Sequence, residues 1–124
     1  MSPSLAPIRT KTRRIVGHAV VAVSDPTQAQ LVECVLRRLG WAAVRVASAA
    51  EVRERLAETP GAVVILGTAL ADESGWLTCA KLAHPAGRTK VLIVAPDTPL
   101  NRMQAHAAGA TALLADPVEI SEWV

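Results

Sequence analysis

The sequence has no tyrosine and no phenylalanine, and its only large rings are three tryptophans. A core must therefore be built from Val, Leu, Ile and Ala. There are two cysteines, Cys34 and Cys79, at no metal-binding or redox spacing. They are expected to be buried free thiols in a reducing compartment. The N-terminus lacks the apolar stretch of a signal peptide, and no hydrophobic run is long enough to cross a bilayer. A cytoplasmic protein without membrane contact is expected. No two histidines stand at ligand spacing. The turn Val23-Ser24-Asp25-Pro26-Thr27-Gln28 contains no glycine, which excludes both a dinucleotide fingerprint and a phosphate-cradling loop.

What is present is compact. A length of 124 residues fits one domain, and 51% hydrophobic residues suffice for a real core. The net charge of +2 is unevenly placed. Residues 1–17 carry Arg9, Lys11, Arg13 and Arg14 and no acid, with Pro3 and Pro7 among them. They read as a basic, flexible, solvated tail ahead of a domain at 18–124. No helix-turn-helix pair and no basic recognition helix follows, so this domain is not expected to bind nucleic acid directly.

Apolar runs then alternate with helical patterns. His18–Val23 reads as a first strand. Asp25, Pro26 and Gln28 read as the N-cap, first position and capping-box partner of a helix. Its buried stripe is Leu31, Val32, Val35, Leu36 and Leu39, and Gly40 ends it. Ala42–Ala47 is a second strand. Ser48 and Glu51 form a capping box for a second helix bearing Val52 and Leu56. Ala62–Leu66, apolar throughout, suits a strand covered on both faces. A third helix carries Trp76 and Cys79 and ends at His84-Pro85-Ala86-Gly87. Val91–Ala95 is a fourth strand. Asp97, Thr98 and Pro99 open a fourth helix that Gly109 stops. Ala112–Ala115 is a fifth strand, and a short helix begins near Val118. Five strands separated by helices require a doubly wound parallel sheet, α/β in class, with its working edge at the C-terminal ends of the strands.

Several markers in this order resemble response-regulator receiver domains, from about His18 to Trp123. They are Leu39-Gly40-Trp41 after the first helix, Gly67 and Gly75 eight residues apart around the loop after the third strand, and Ala107-Ala108-Gly109-Ala110 before the last strand. Asp116-Pro117 is similar to the family's lysine-proline pair with its lysine replaced. The resemblance implies a flavodoxin-like receiver fold of strand order 2-1-3-4-5, with the fifth helix truncated. It also implies phosphoryl transfer to an aspartate, aided by a magnesium-holding acidic pair, a hydroxyl and a lysine.

Carried over by position, each of those roles is vacant. The nucleophile falls on Gly67. The acidic pair falls on Val23 and Ser24, or on Ser24 and Asp25 if one gap is allowed. The hydroxyl falls on Ala95, the lysine on Asp116, the aromatic switch on Leu113 and the loop proline on Ala71. The expectation is a degenerate pseudo-receiver: not an enzyme, with no metal, no cofactor and no catalytic residue. Ser24 and His18 lie at opposite ends of one strand, about five residues of ~3.3 Å apart, and make no nucleophile–base pair. Asp72 and Glu73 read as solvated loop acids, and His106 as a surface residue.

Binding is what remains. By resemblance, the face made by the fourth helix, fifth strand and fifth helix mediates homodimerisation or contact with an output domain. Here that face carries Arg102, His106, Leu113, Asp116, Glu119 and Trp123. The second expectation is an uncharged small ligand in the vacated strand-end pocket of Val23, Ser24, Asp25, Gly67, Thr68, Ala95 and Pro96.

Overall fold

A computed structural model describes residues 14–83 and 89–124. Most of the expected basic tail, and the expected turn at His84-Pro85-Ala86-Gly87, lie outside those residues. Five strands form one parallel sheet: β1 (Gly17–Ala22), β2 (Trp41–Arg45), β3 (Val63–Leu66), β4 (Val91–Val94) and β5 (Ala112–Leu114). Their spatial order is β2-β1-β3-β4-β5, the order the sequence predicts. The helices are α1 (Pro26–Arg38), α2 (Ala49–Glu58), α3 (Gly75–Ala83) and α4 (Pro99–Ala108). A short 3-10 helix, Pro117–Glu122, stands where the truncated fifth helix is expected.

The alternation of strand side chains divides the core in two. Ala19, Val21, Val63, Ile65, Leu92, Val94 and Leu114 face α1 and the 3-10 helix, whose Val32, Leu36 and Ile120 complete that layer. Val20, Ala22, Val64, Leu66, Val91 and Ile93 face α2, α3 and α4, meeting Val52, Cys79 and Ala108. Both faces of β3 and β4 are covered, so their runs are apolar without a break. Side chains such as Leu36 and Ile65 are fully buried. Each contributes about 1.5–3 kcal/mol from burial.

Helix starts follow their local signals. Asp25 caps α1, its carboxylate accepting the Thr27 amide at 3.0 Å. No reciprocal bond from Gln28 is present among the described residues, so this cap is one-sided. Ser48 and Glu51 close the full capping box at α2, and Thr98 caps α4. Gly109 ends α4 in the left-handed region with φ of 77°.

The buried stripe of α1 is rotated from the one expected. Ala29, Val32, Glu33 and Leu36 are buried, whereas Leu31 and Leu39 are exposed. Glu33, on the buried face, binds the Arg45 guanidinium of β2. Cys34, one position on, consequently faces solvent, while Cys79 is buried as expected. Trp41 of the edge strand β2 lays its ring over Gly17, where an added Cβ would come within 2.6 Å of a ring carbon.

Candidate functional site

The C-terminal strand ends bring the vacant positions to one edge. Val23 follows β1 and is buried. Gly67 follows β3, and its amide bonds the Ala22 carbonyl at 2.9 Å. Ala95 follows β4, buried, with its amide on the Leu114 carbonyl at 3.1 Å. Ser24 and Asp25 are exposed at the start of α1. None of Val23, Gly67 and Ala95 carries a polar side-chain atom. Among the described residues, no three His, Cys, Asp or Glu side chains come together in a way that would hold a metal ion. The donor set of a magnesium site, several hard oxygens, is not assembled.

Asp116 has a different occupation from the one its position suggests. It caps the 3-10 helix, its carboxylate accepting the Val118 amide at 2.9 Å. Glu119 reaches back to accept the amides of Ala115 and Asp116, both at 2.9 Å. The pattern Asp-Pro-x-Glu is a capping box. It was visible in the sequence, behind the analogy with a lysine.

Gly67 is not demanded by packing. A Cβ added there meets nothing closer than the Val23 Cα at 3.5 Å, an ordinary contact, and Gly67 is not among the positive-φ glycines. Gly75 is the opposite case. Its added Cβ would sit 1.8 Å from the Gly67 carbonyl oxygen, because the first turn of α3 folds directly back on the end of β3. The Gly75 amide bonds the Thr68 carbonyl at 2.8 Å and closes this turn.

The loop between β3 and α3 is ordered by side chains that the sequence reading leaves in solvent. Ala69 and Ser74 form an antiparallel bridge, and the Ala71 amide bonds the Ala47 carbonyl at 3.0 Å. Asp72 accepts the amides of Ala49 at 2.7 Å and Ala50 at 3.2 Å, so it caps α2 from another loop. The Ala49 amide, and after it that of Ala50, holds the Asp72 carboxyl below its usual range. Glu73 accepts from the Thr78 hydroxyl at 2.6 Å and from the Lys81 ammonium at 3.0 Å, and both hold its carboxyl low. The Asp72 contacts reach 23 residues back in the chain, which is why its local sequence does not announce them, whereas Glu73 binds Thr78 and Lys81 of the helix that follows it.

A lowered carboxyl pKa stabilises the fold above the unfolded value and loses that contribution as the pH falls through the folded value. Asp72→Asn is therefore expected to melt below the native protein at pH 7. The gap should close as the pH drops below the ordinary aspartate value of about 3.9. Thermal melts across pH check this, and a gap independent of pH would refute the capping role of the charge.

The residues of the expected interface have different surroundings. Arg102, Leu113 and Glu119 meet around a hollow of about 150 Å³ with Asp97 and Ala115. Arg102 is tied to the Asp97 carboxylate by two bonds, one of them 2.8 Å, and the Leu113 side chain packs against the core beneath α4. His106, further along α4, lies with Ala80, Lys81 and Ala83 of α3. Trp123 is 41% exposed, and its carbonyl accepts from Lys90, just before β4, at the other end of the sheet.

The expected ligand pocket is also displaced. The larger cleft at this edge, about 530 Å³, is lined by Val23 and Ser24 together with Pro26, Arg45, Val46 and Leu70. Asp25, Gly67, Thr68, Ala95 and Pro96 are not in its wall. Gly75 folds back tightly onto Gly67 beside it.

Solved structures share this architecture. A candidate response regulator from Chloroflexus aurantiacus is 25% identical, with a TM-score of 0.74 over 85% of this chain and 88% of its own. The signal receiver domain of a signal transduction histidine kinase from Syntrophus aciditrophicus is 18% identical, with a TM-score of 0.73 over 87% of this chain and 86% of its own. The Vibrio cholerae chemotaxis protein CheY4 is also 18% identical, with a TM-score of 0.70 over 88% and 95%. No protein-family model matches the sequence, and no curated protein matches it. The chain shares the receiver-domain fold of these structures, including the strand order β2-β1-β3-β4-β5. Among the described residues, no helix is long and apolar enough to cross a membrane.

Proposed function

We propose that this chain is a phosphorylation-independent receiver domain, a regulatory module of two-component signalling in the cytoplasm that acts through protein contacts rather than catalysis. The observation that carries the reading is the strand-end edge. Val23, Gly67 and Ala95 offer no oxygen or nitrogen beyond the backbone. Asp116, where a cation would offset phosphate charge, is an acid already committed to a helix cap. Phosphoryl transfer depends on positioned charge, and no such charge is gathered here. Gly67 also has room for a Cβ, so the missing carboxylate is not a consequence of crowding.

The output passes to a partner protein, an attached domain or a second copy of the chain. The surface around Arg102, Leu113 and Glu119 supports such a contact because α4 adds exposed Leu100 and Met103 beside it.

Incubation with acetyl phosphate, or with beryllium fluoride and magnesium, is expected to leave the mass and the amide NMR spectrum unchanged. Gly67→Asp alone is expected to behave the same way, since the metal ligands and the cation stay absent. A covalent phosphate on either protein, seen by intact mass spectrometry, would end this reading. Light scattering distinguishes a stable dimer from a monomer that awaits another partner.

A further inference from the structure

The 530 Å³ cleft lies where the ends of β1 and β2 meet the loop after β3. Its volume is in the range of small-molecule sites. Val23, Val46 and Leu70 give it an apolar wall. That wall is preformed, because the Val46 amide bonds the Val21 carbonyl at 2.9 Å and the Ala71 amide bonds the Ala47 carbonyl at 3.0 Å.

Three side chains bring polarity to the cleft: Ser24, Arg45 and Glu51. Glu51 is already engaged, accepting from the Ala47 amide at 2.8 Å and the Ser48 amide at 3.2 Å. The first amides of α2 are also occupied, by Asp72 and Ser48. Arg45 is different. Its Nε–H donates to Glu33, and no other guanidinium donor has an acceptor among the described residues. Four of its five N–H donors are thus available. A planar guanidinium matches a planar carboxylate with two parallel bonds. The neighbouring carboxylates of Glu33 and Glu51 disfavour a doubly charged phosphate, so a single negative charge fits best.

We propose that this cleft binds a small amphipathic carboxylate, its hydrocarbon body against Val23, Val46 and Leu70 and its head group on Arg45. The cleft shares Val23 and Ser24 with the vacant phosphorylation positions but not Gly67, Ala95 or Asp116, and a failure of octanoate to bind leaves the phosphodonor and mass-spectrometric tests of the protein-contact reading untouched.

Octanoate is the probe, with 1-octanol and inorganic phosphate at matched ionic strength as comparisons. Thermal shift and calorimetric titration are run on the native chain, on Arg45→Gln and on Ala71→Leu. Ala71 is an exposed residue of the cleft wall, so the leucine fills the cavity without entering the core. Circular dichroism confirms that each variant is folded. Octanoate is expected to raise the Tm of the native chain, with Kd at least about tenfold weaker in both variants. Octanol and phosphate should each be weaker than octanoate on the native chain. No shift with octanoate up to its solubility overturns the proposal. So does an equal response in all three proteins, and equal binding of octanol removes the role given to Arg45.

Discussion

Gly75→Ala is expected to destabilise the protein by about 3 kcal/mol or more, enough to prevent folding in a marginal domain. The added Cβ would lie 1.8 Å from the Gly67 carbonyl oxygen and 2.9 Å from the carbonyl carbon. Both are backbone atoms, and neither can rotate away. Relief requires prising α3 from the end of β3, which also breaks the bond from the Gly75 amide to Thr68. Two controls isolate the cause. Gly67→Ala meets nothing closer than 3.5 Å, and Gly61→Ala meets nothing within 4 Å. Both are expected to change stability by less than about 1 kcal/mol. Urea unfolding of the three variants measures the difference. A Gly75→Ala protein as stable as Gly67→Ala would show that α3 does not lie so close to β3.

The second large effect is a separation of the two thiols. Cys34 is exposed on α1, while Cys79 is fully buried between α3 and α4, its thiol directed at the Ala108 carbonyl 3.5 Å away. Burial pushes the Cys79 thiol up from 9.0 to about 11. At pH 8 only about one Cys79 in a thousand is then thiolate, the form that reacts. Iodoacetamide is expected to modify Cys34 in the folded protein and to modify Cys79 at least about a hundred times more slowly, through opening of the fold. Peptide mapping after timed quenching reads both sites. Equal rates in the native state would contradict the burial of Cys79. A thiol raised in this way contributes stability that is complete below pH 9 and is lost as the pH climbs towards about 11. Cys79→Ser should remove that alkaline loss, though the substitution is itself destabilising in an apolar site.

Helix caps and the stop at Gly109 are legible because each rests on residues near one another in the chain, whereas the strand order comes from the resemblance to receiver domains. Ser48 with Glu51 is a local pattern, as are Thr98 with Pro99 and the unbroken apolar runs of β3 and β4. That β3 is followed by a residue without a side-chain oxygen, Gly67, is a fact of the sequence itself. What the sequence concealed is tertiary. Asp72 caps a helix that starts 23 residues earlier, and nothing adjacent to Asp72 marks it for that. The pairing of Glu33 with Arg45 joins two elements on a face of α1 that leaves Leu31 and Cys34 exposed. Arg45 and the pinned loop form parts of the rim of the displaced cleft. The resemblance groups His106 and Trp123 with Arg102, and the structure sets His106 beside α3 and joins the Trp123 carbonyl to Lys90.

The rings are few, and their placement has a practical outcome. With no tyrosine or phenylalanine anywhere in the chain, near-ultraviolet absorbance and emission come almost wholly from three indoles. Trp41 reports from the outer edge against Gly17, Trp76 from beneath α3, and Trp123 from the partly open C-terminal turn. A spectroscopist could therefore watch three separate regions of this fold come apart using only the chromophores it already contains.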